Sequence, residues 1–289
     1  MLGTEVCAVL HSSGHTVLRA GLTRGEILQD LAEIDGTVNM IEQTRPDVVI
    51  HCAAYTNVDG AEQNPEQAFR VNALGTWNLA IACSQWDVPL CAISTDFVFD
   101  GQKGEPYLEW DCPHPINTYG ASKLAGEASI REIWPKHWIV RTSWLYGIHG
   151  SCFPATILAK AEKESSLNVV ADQKGSPTYA RDLAQALVAL IQFPYYGTYH
   201  LSNAGAVTRY EFARRILEFA NLEHVAINPI VSRDVPFRND KPPARRPRNS
   251  ALASTRSTIP GFGTMRPWEA ALAEYVAEYT RLHHAGGIR

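Results

Sequence analysis

The chain has 289 residues, 45% of them hydrophobic, and a formal net charge of −4. That length and apolar content allow one large α/β domain, or a main domain with a smaller cap, whose core needs neither disulfides nor metal. The mild negative charge argues against a nucleic-acid surface, and no apolar run approaches the roughly eighteen residues of a membrane span.

The six cysteines, Cys7, Cys52, Cys83, Cys91, Cys112 and Cys152, are scattered without C-x-x-C or metal-ligand spacing. With no basic-then-apolar leader, they point to a soluble, cytoplasmic protein in a reducing compartment, with no metal site expected within the chain. Gly3 to His11 reads as a helix, with Val6, Val9 and Leu10 on one face and Gly14 as its stop. Residues 16–20 read as a short strand, and 37–44 as a helix halted by Pro46. Residues 47–52 are a buried strand, and 65–86 one long helix with Pro65 in its first turn. Residues 89–94 form the next strand, 119–133 a helix after a proline-rich loop, and 138–141 another strand. Strands alternating with helices predict a parallel sheet covered on both faces, with ligands beyond the carboxyl ends of its strands. Ala53-Ala54-Tyr55, Thr95-Asp96 and Thr142-Ser143-Trp144 all fall at such ends.

Beyond residue 150 the pattern is less regular. Helices are expected over 153–164, 179–193 and 267–282, the last with Trp268, Leu272, Tyr275 and Tyr279 facing a core. Thr208-Arg209-Tyr210-Glu211 has capping-box spacing and opens a helix to Phe219. The proline-rich basic stretch Lys241 to Ser250 reads as a solvated linker or as a loop whose arginines hold phosphate.

Tyr119-Gly120-Ala121-Ser122-Lys123 carries the chemistry. On a helix, Tyr119 and Lys123 lie one turn apart on one face. A phenol beside an ammonium suits proton donation to an oxygen that becomes an alkoxide, and Thr95 could hydrogen-bond the same oxygen. With His51–Asp59, Ser94–Gly101, Tyr119–Glu127, Arg141–Gly147, Gly175–Thr178 and Arg246–Leu252 in this order, the chain resembles the extended short-chain dehydrogenases. Within them it is similar to the dTDP-4-dehydrorhamnose reductases.

This resemblance implies a Rossmann-like doubly wound parallel sheet over residues 1–150. An interleaved mixed α/β substrate region would occupy 151–289. It implies reduction of the C4 keto group of dTDP-4-dehydro-β-L-rhamnose by NADPH, with NADH as an alternative donor, and a homodimer as an admissible assembly. Tyr119 would donate the proton, and Lys123 would hold the nicotinamide ribose and lower the Tyr119 pKa. Thr95 would polarise the carbonyl, and Asn72 would support Lys123 through water. Thr95, Asp96 and Trp144 would line the sugar site. Met1, Leu2, Gly3, Asp30, Leu31, Ala53, Ala54, Tyr55, Tyr119 and Lys123 match cofactor-contacting positions. Arg19 or Arg24 could meet a 2′-phosphate or stand as an exposed arginine. Two other uses of the same scaffold stay open: a cofactor-binding regulatory subunit of methionine adenosyltransferase, and an epimerase or dehydratase acting on another nucleotide sugar.

The family opens with an apolar strand and a Gly-x-x-Gly-x-x-Gly turn that brings pyrophosphate to a helix N-terminus. Here Gly3 fits the third glycine, and the strand and first two glycines are absent. A start assigned too late would account for about ten missing residues, the length of one strand and its turn; a real truncation is the alternative. The 289-residue chain is expected to bind NADPH more weakly than a version extended upstream. Titration of both by fluorescence checks this, and equal affinities would refute it.

Overall fold

The computed structural model describes residues 1–236, 242–255 and 264–285; Lys241 of the basic stretch lies outside them. In chain order come α1 (Leu2–Ser12), β1 (Ala20–Gly21), β2 (Ile27–Leu28), α2 (Ile34–Thr44), β3 (Val49–His51), α3 (Val58–Gln63) and α4 (Pro65–Phe69). A π-helical turn at Arg70–Leu74 leads into α5 (Gly75–Gln85), β4 (Leu90–Thr95), α6 (Thr118–Ile133), β5 (His137–Thr142) and β6 (Leu145–Tyr146). The second half holds α7 (Phe153–Ala161), β7 (Ser166–Val170), β8 (Lys174–Gly175), β9 (Thr178–Tyr179), α8 (Ala180–Leu190) and β10 (Gly197–His200). It closes with β11 (Val207–Thr208), α9 (Arg209–Phe219), β12 (Ala226–Ile230) and α10 (Trp268–Ala285).

The central sheet is parallel, in the order β10-β5-β4-β3. Its alternate side chains serve two layers, as a doubly wound sheet requires. Cys91, Trp138, Val140 and Tyr199 pack with Leu2 and Val6 of α1 and Leu183 and Leu187 of α8. On the other face Leu90, Ala92 and Ile139 meet Ile41 of α2, Leu79 of α5 and Ile130 of α6. Each such side chain contributes roughly 1.5–3 kcal/mol by leaving water. The chain's second half supplies β10 and α8 to this unit, then builds a separate aromatic core of Tyr146, Tyr179, Phe212, Trp268 and Tyr275. The expected core role of the last helix is met by Trp268, Leu272 and Tyr275, all buried.

Several sequence expectations change. Of 16–20 only Ala20 is in a strand, pairing with β2, while Leu18 is exposed. No ladder joins this pair to β3 among the described residues, and the pairing with β2 begins only at Arg19, whose O accepts the Ile27 N–H (3.1 Å). The single helix 65–86 is broken by the π-helical turn, a distortion that periodicity cannot show and that often marks functional sites. The basic stretch is no solvated linker: Ala244, Pro247 and Ser250 are buried, and its backbone bonds to β8, where Lys174 N–H donates to Arg248 O (2.7 Å) and Lys174 O accepts the Ser250 N–H (2.8 Å). The two-residue strands of the second half are too short to carry a periodic signal.

Helix α6 approaches the π-helical turn so closely that a Cβ on Gly126 would strike the backbone oxygen of Asn72. Gly126→Ala should therefore destabilise the fold by about 1–3 kcal/mol, the usual cost of overpacking, read as a lower urea midpoint.

Candidate functional site

Asn117 caps α6, its Oδ1 accepting the Gly120 N–H at 2.8 Å, which sets the start of the helix one residue before Tyr119. Tyr119 and Lys123 then share a face, and Glu127 follows one turn on. The Glu127 carboxylate is buried and accepts from Arg141 Nε and Nη2 of β5 (2.9 and 2.8 Å) and from Ser94 Oγ of β4 (2.5 Å). Burial pushes this carboxyl up, but the hydrogen bonds and charge of Arg141 outweigh it and hold the group below its ordinary value. The helix is thus pinned to the two strands beneath it, and Thr95 at the end of β4 comes beside Tyr119.

Burial pushes the Tyr119 phenol up to about 12; hydrogen bonding with Thr95 opposes the rise and the Asp96 charge adds to it. Lys123 does not lower it, contrary to the sequence-based expectation. Its ammonium is itself strained by burial, down to about 8, against the pull of Glu127 and Cys52. Among the described residues Lys123 has no hydrogen bond or ion pair. Its charge acts on His51, which burial and Lys123 together hold down to about 3, so this imidazole is neutral. The phenol is protonated at neutral pH, as a proton donor must be before it reacts.

Asn72 sits on the π-helical turn, fully buried. Its Oδ1 accepts the Tyr55 N–H (2.8 Å), and its Nδ2 donates to Tyr55 O (3.1 Å) and Ser122 Oγ (2.9 Å). The amide clamps the end of β3 to α6, and with Lys123, His51, Ser94 and Glu127 it lines a small internal cavity.

On the other side of Tyr119, Asp96 is buried, its Oδ1 accepting from Thr95 Oγ1 (3.0 Å) and its Oδ2 from Ser143 Oγ (2.9 Å). Burial raises its pKa, while Ser250, Ser143 and Thr95 resist through hydrogen bonds. Trp144 next to Ser143 has φ 47, a conformation costly for a bulky side chain and typical of sites where function fixes the backbone. Its indole lies on Gly175, where any Cβ would collide with it. The basic stretch closes this side: Arg246 pairs with Asp59 (2.9 Å), and Asn117 Nδ2 donates to Arg245 O (2.9 Å).

The remaining expected residues surround the carboxyl ends of the strands. Gly3 faces Cys52, with 3.7 Å between the Cβ it lacks and that of Cys52. This brings the N-terminus of α1 to the end of β3, beside Ala53 and Ala54. Leu2 is buried and Met1 half-buried in apolar packing. The Asp30 carboxylate is committed to Arg70 (2.9 Å) and to the Ala32 N–H (3.0 Å), and Leu31 packs under α5. Arg19 is held by Glu26 in a two-pronged pair.

The family described as RmlD substrate binding domain matches residues 1–281. The chain belongs to this family. It is 39% identical over 280 residues to the dTDP-4-dehydrorhamnose reductase of Mycolicibacterium smegmatis, covering 96% of this chain and 82% of that one. It is 37% identical to the spore coat polysaccharide biosynthesis protein SpsK of Bacillus subtilis, covering 96% and 94%. The crystal structure of the dTDP-4-dehydrorhamnose reductase of Bacillus anthracis in complex with NADP superposes with a TM-score of 0.89. Identity is 38%, over 96% of this chain and 95% of that one. A UDP-glucose 4-epimerase of Thermus thermophilus at 22% identity and TM-score 0.79 shares the Rossmann-like doubly wound fold alone.

Sequence reading therefore brought Tyr119, Lys123, Thr95, Asp96 and Trp144 to one place, and it missed what holds them. Glu127 and Arg141 stood inside the quoted motifs without an assigned task. Ser143, Ser250 and Arg209 are polar residues of common type whose convergence depends on tertiary structure.

The Lys123 value fixes a sign. Below about pH 8 both folded and unfolded chains hold this proton and the fold bears the burial penalty. Between about 8 and 10.5 the folded state releases it first, so stability rises with pH. Denaturation of wild type and Lys123→Met from about pH 7 to about pH 10 should show a wild-type gain of up to about 3 kcal/mol that the variant lacks. Parallel curves would show that the ammonium is solvated.

Proposed function

We propose that the chain reduces the C4 keto group of dTDP-4-dehydro-β-L-rhamnose to give dTDP-L-rhamnose, with NADPH as the reductant. The observation that carries this reading is the meeting of a protonated phenol, a threonine hydroxyl and an unengaged ammonium at the carboxyl edge of a parallel sheet. The named reductases among its relatives, matched over most of their length, support it.

The residues present suit a dinucleotide. The unpaired Lys123 ammonium offers donors to ribose hydroxyls, and Ala53 and Ala54 leave room beside it. The N-terminus of α1 presents backbone N–H groups where a pyrophosphate would lie. Tyr55 and Leu31 would flank the nicotinamide and adenine ends, and Asp30 would order the turn between β2 and α2. When bound, the reduced nicotinamide supplies a hydride. Tyr119 donates its proton to the ketone oxygen as negative charge grows there. Thr95 donates a hydrogen bond to the same oxygen and so polarises the carbonyl. Lys123 holds the ribose of the cofactor, and Asn72 fixes the backbone of Tyr55 and the helix that carries both groups. Asp96 and Trp144 hold the sugar, the first through its hydroxyls and the second through an apolar ring face. The first half of the chain, with β10 and α8 returned to it, would hold the cofactor, and the second half the sugar. Six free cysteines fit a reducing cytoplasm, and a homodimer is the assembly we adopt.

Tyr119→Phe should lower turnover about 10²–10⁴-fold while the KM for NADPH stays near wild type, since only the proton donor is lost. Oxidation of NADPH followed by absorbance with the dTDP-4-keto sugar measures both, and unchanged turnover would remove Tyr119 from the reaction.

A further inference from the structure

Arg209 is the first residue of α9, inside the Thr208–Glu211 capping box, which gives its side chain no task. Its guanidinium lies flat against the Trp144 indole, 3.6 Å from the ring centroid, and 4.8 Å from that of Phe153. Among the described residues no carboxylate or carbonyl oxygen hydrogen-bonds this side chain. The nearest negative charge is Asp96, whose oxygens are already taken by Thr95, Ser143 and Ser250. Arg246 stands close enough to repel it and is itself satisfied by Asp59 and Ala244 O.

This is a costly arrangement for an arginine. Burial drives its pKa down to about 9, so the charged form is held without the counter-ion that would normally justify it. The side chain is only partly covered, so a ligand can reach it. Stacking fixes the plane of the fork and leaves its N–H edge free, the geometry that suits two phosphate oxygens. Trp144 and Asp96, which flank the fork, are the residues assigned above to the sugar.

We infer that Arg209 binds the diphosphate of the nucleotide-sugar substrate, using the Trp144 indole as its platform. The inference rests on the nucleotide-sugar reading of the site. It gives the strained Trp144 backbone and the bare Gly175 beneath it a use: they carry the indole that orients the guanidinium as well as the sugar.

Two variants and two ligands separate this from a purely structural role. Thymidine and dTDP are titrated calorimetrically into wild type, Arg209→Met and Arg209→Lys, with melting curves to confirm folding. Arg209→Met should weaken dTDP binding about 10- to 100-fold, the loss of a charge-assisted bidentate contact, and leave thymidine binding unchanged. Arg209→Lys should fall between. Equal weakening of both ligands would mean that Arg209 only props Trp144, and unchanged dTDP binding in Arg209→Met, or no dTDP binding by wild type, would also overturn the assignment. Turnover of the dTDP-4-keto sugar by wild type is measured alongside. A wild type that binds dTDP through Arg209 yet reduces nothing leaves this subsite standing and overturns the proposed reaction.

Discussion

The geometry of the site depends on one buried ion pair. Glu127 of α6 receives two prongs from Arg141 of β5 and a hydroxyl from Ser94 of β4, and neither charged side chain reaches water. Such a pair adds little net stability, because two ions had to be stripped of solvent. What it fixes is register. A helix held only by Leu79 and Ile130-type contacts could slide over the sheet, whereas a fork met by a carboxylate tolerates one position. With that position set, the phenol about two turns upstream lands beside Thr95, at the end of the strand that carries Ser94.

Charge is distributed asymmetrically around the phenol. On one flank Lys123 is buried with no ion pair among the described residues, and burial together with its field keeps His51 neutral. On the other flank Arg209 is stacked on Trp144 with no ion pair among the described residues, and Asp96 is near but occupied. Several cations among the described residues have found carboxylates, as Arg70, Arg131, Arg181 and Arg266 have. Unpaired cations are expensive inside a protein, and their presence on both flanks of Tyr119 matches a site that receives two anionic molecules.

Much of this was legible in the sequence. Apolar runs ending in small or polar residues marked β3, β4 and β5, and the Tyr119–Lys123 spacing put both side chains on one helical face. The capping box at Thr208 and Glu211 opened α9 at the residue expected. What stayed hidden depends on neighbours. The π-helical turn that buries Asn72 has no signature in a pattern of period 3.6, and residues 16–19 look like a strand until the ladder they would need is sought. The basic stretch illustrates the same limit. Its prolines and arginines have a linker's composition, yet its backbone is bonded to β8 and its Arg246 to α3. The phenol's environment was misjudged because a neighbouring ammonium was weighed and desolvation was not.

The ties of that late segment to α3 and to the cap of α6 span a great length of chain: Asn117 to Arg245, Asp59 to Arg246, Gly101 to Asn249. Closing loops of that size is slow relative to forming the helices they join. As the polypeptide leaves the ribosome, the sheet and α6 can assemble while the wall over them is still unmade. The nascent protein thus holds its phenol and ammonium in an open cleft, and the wall beside Asp96 acquires its final shape only once the segment around Arg245 and Asn249 has been made.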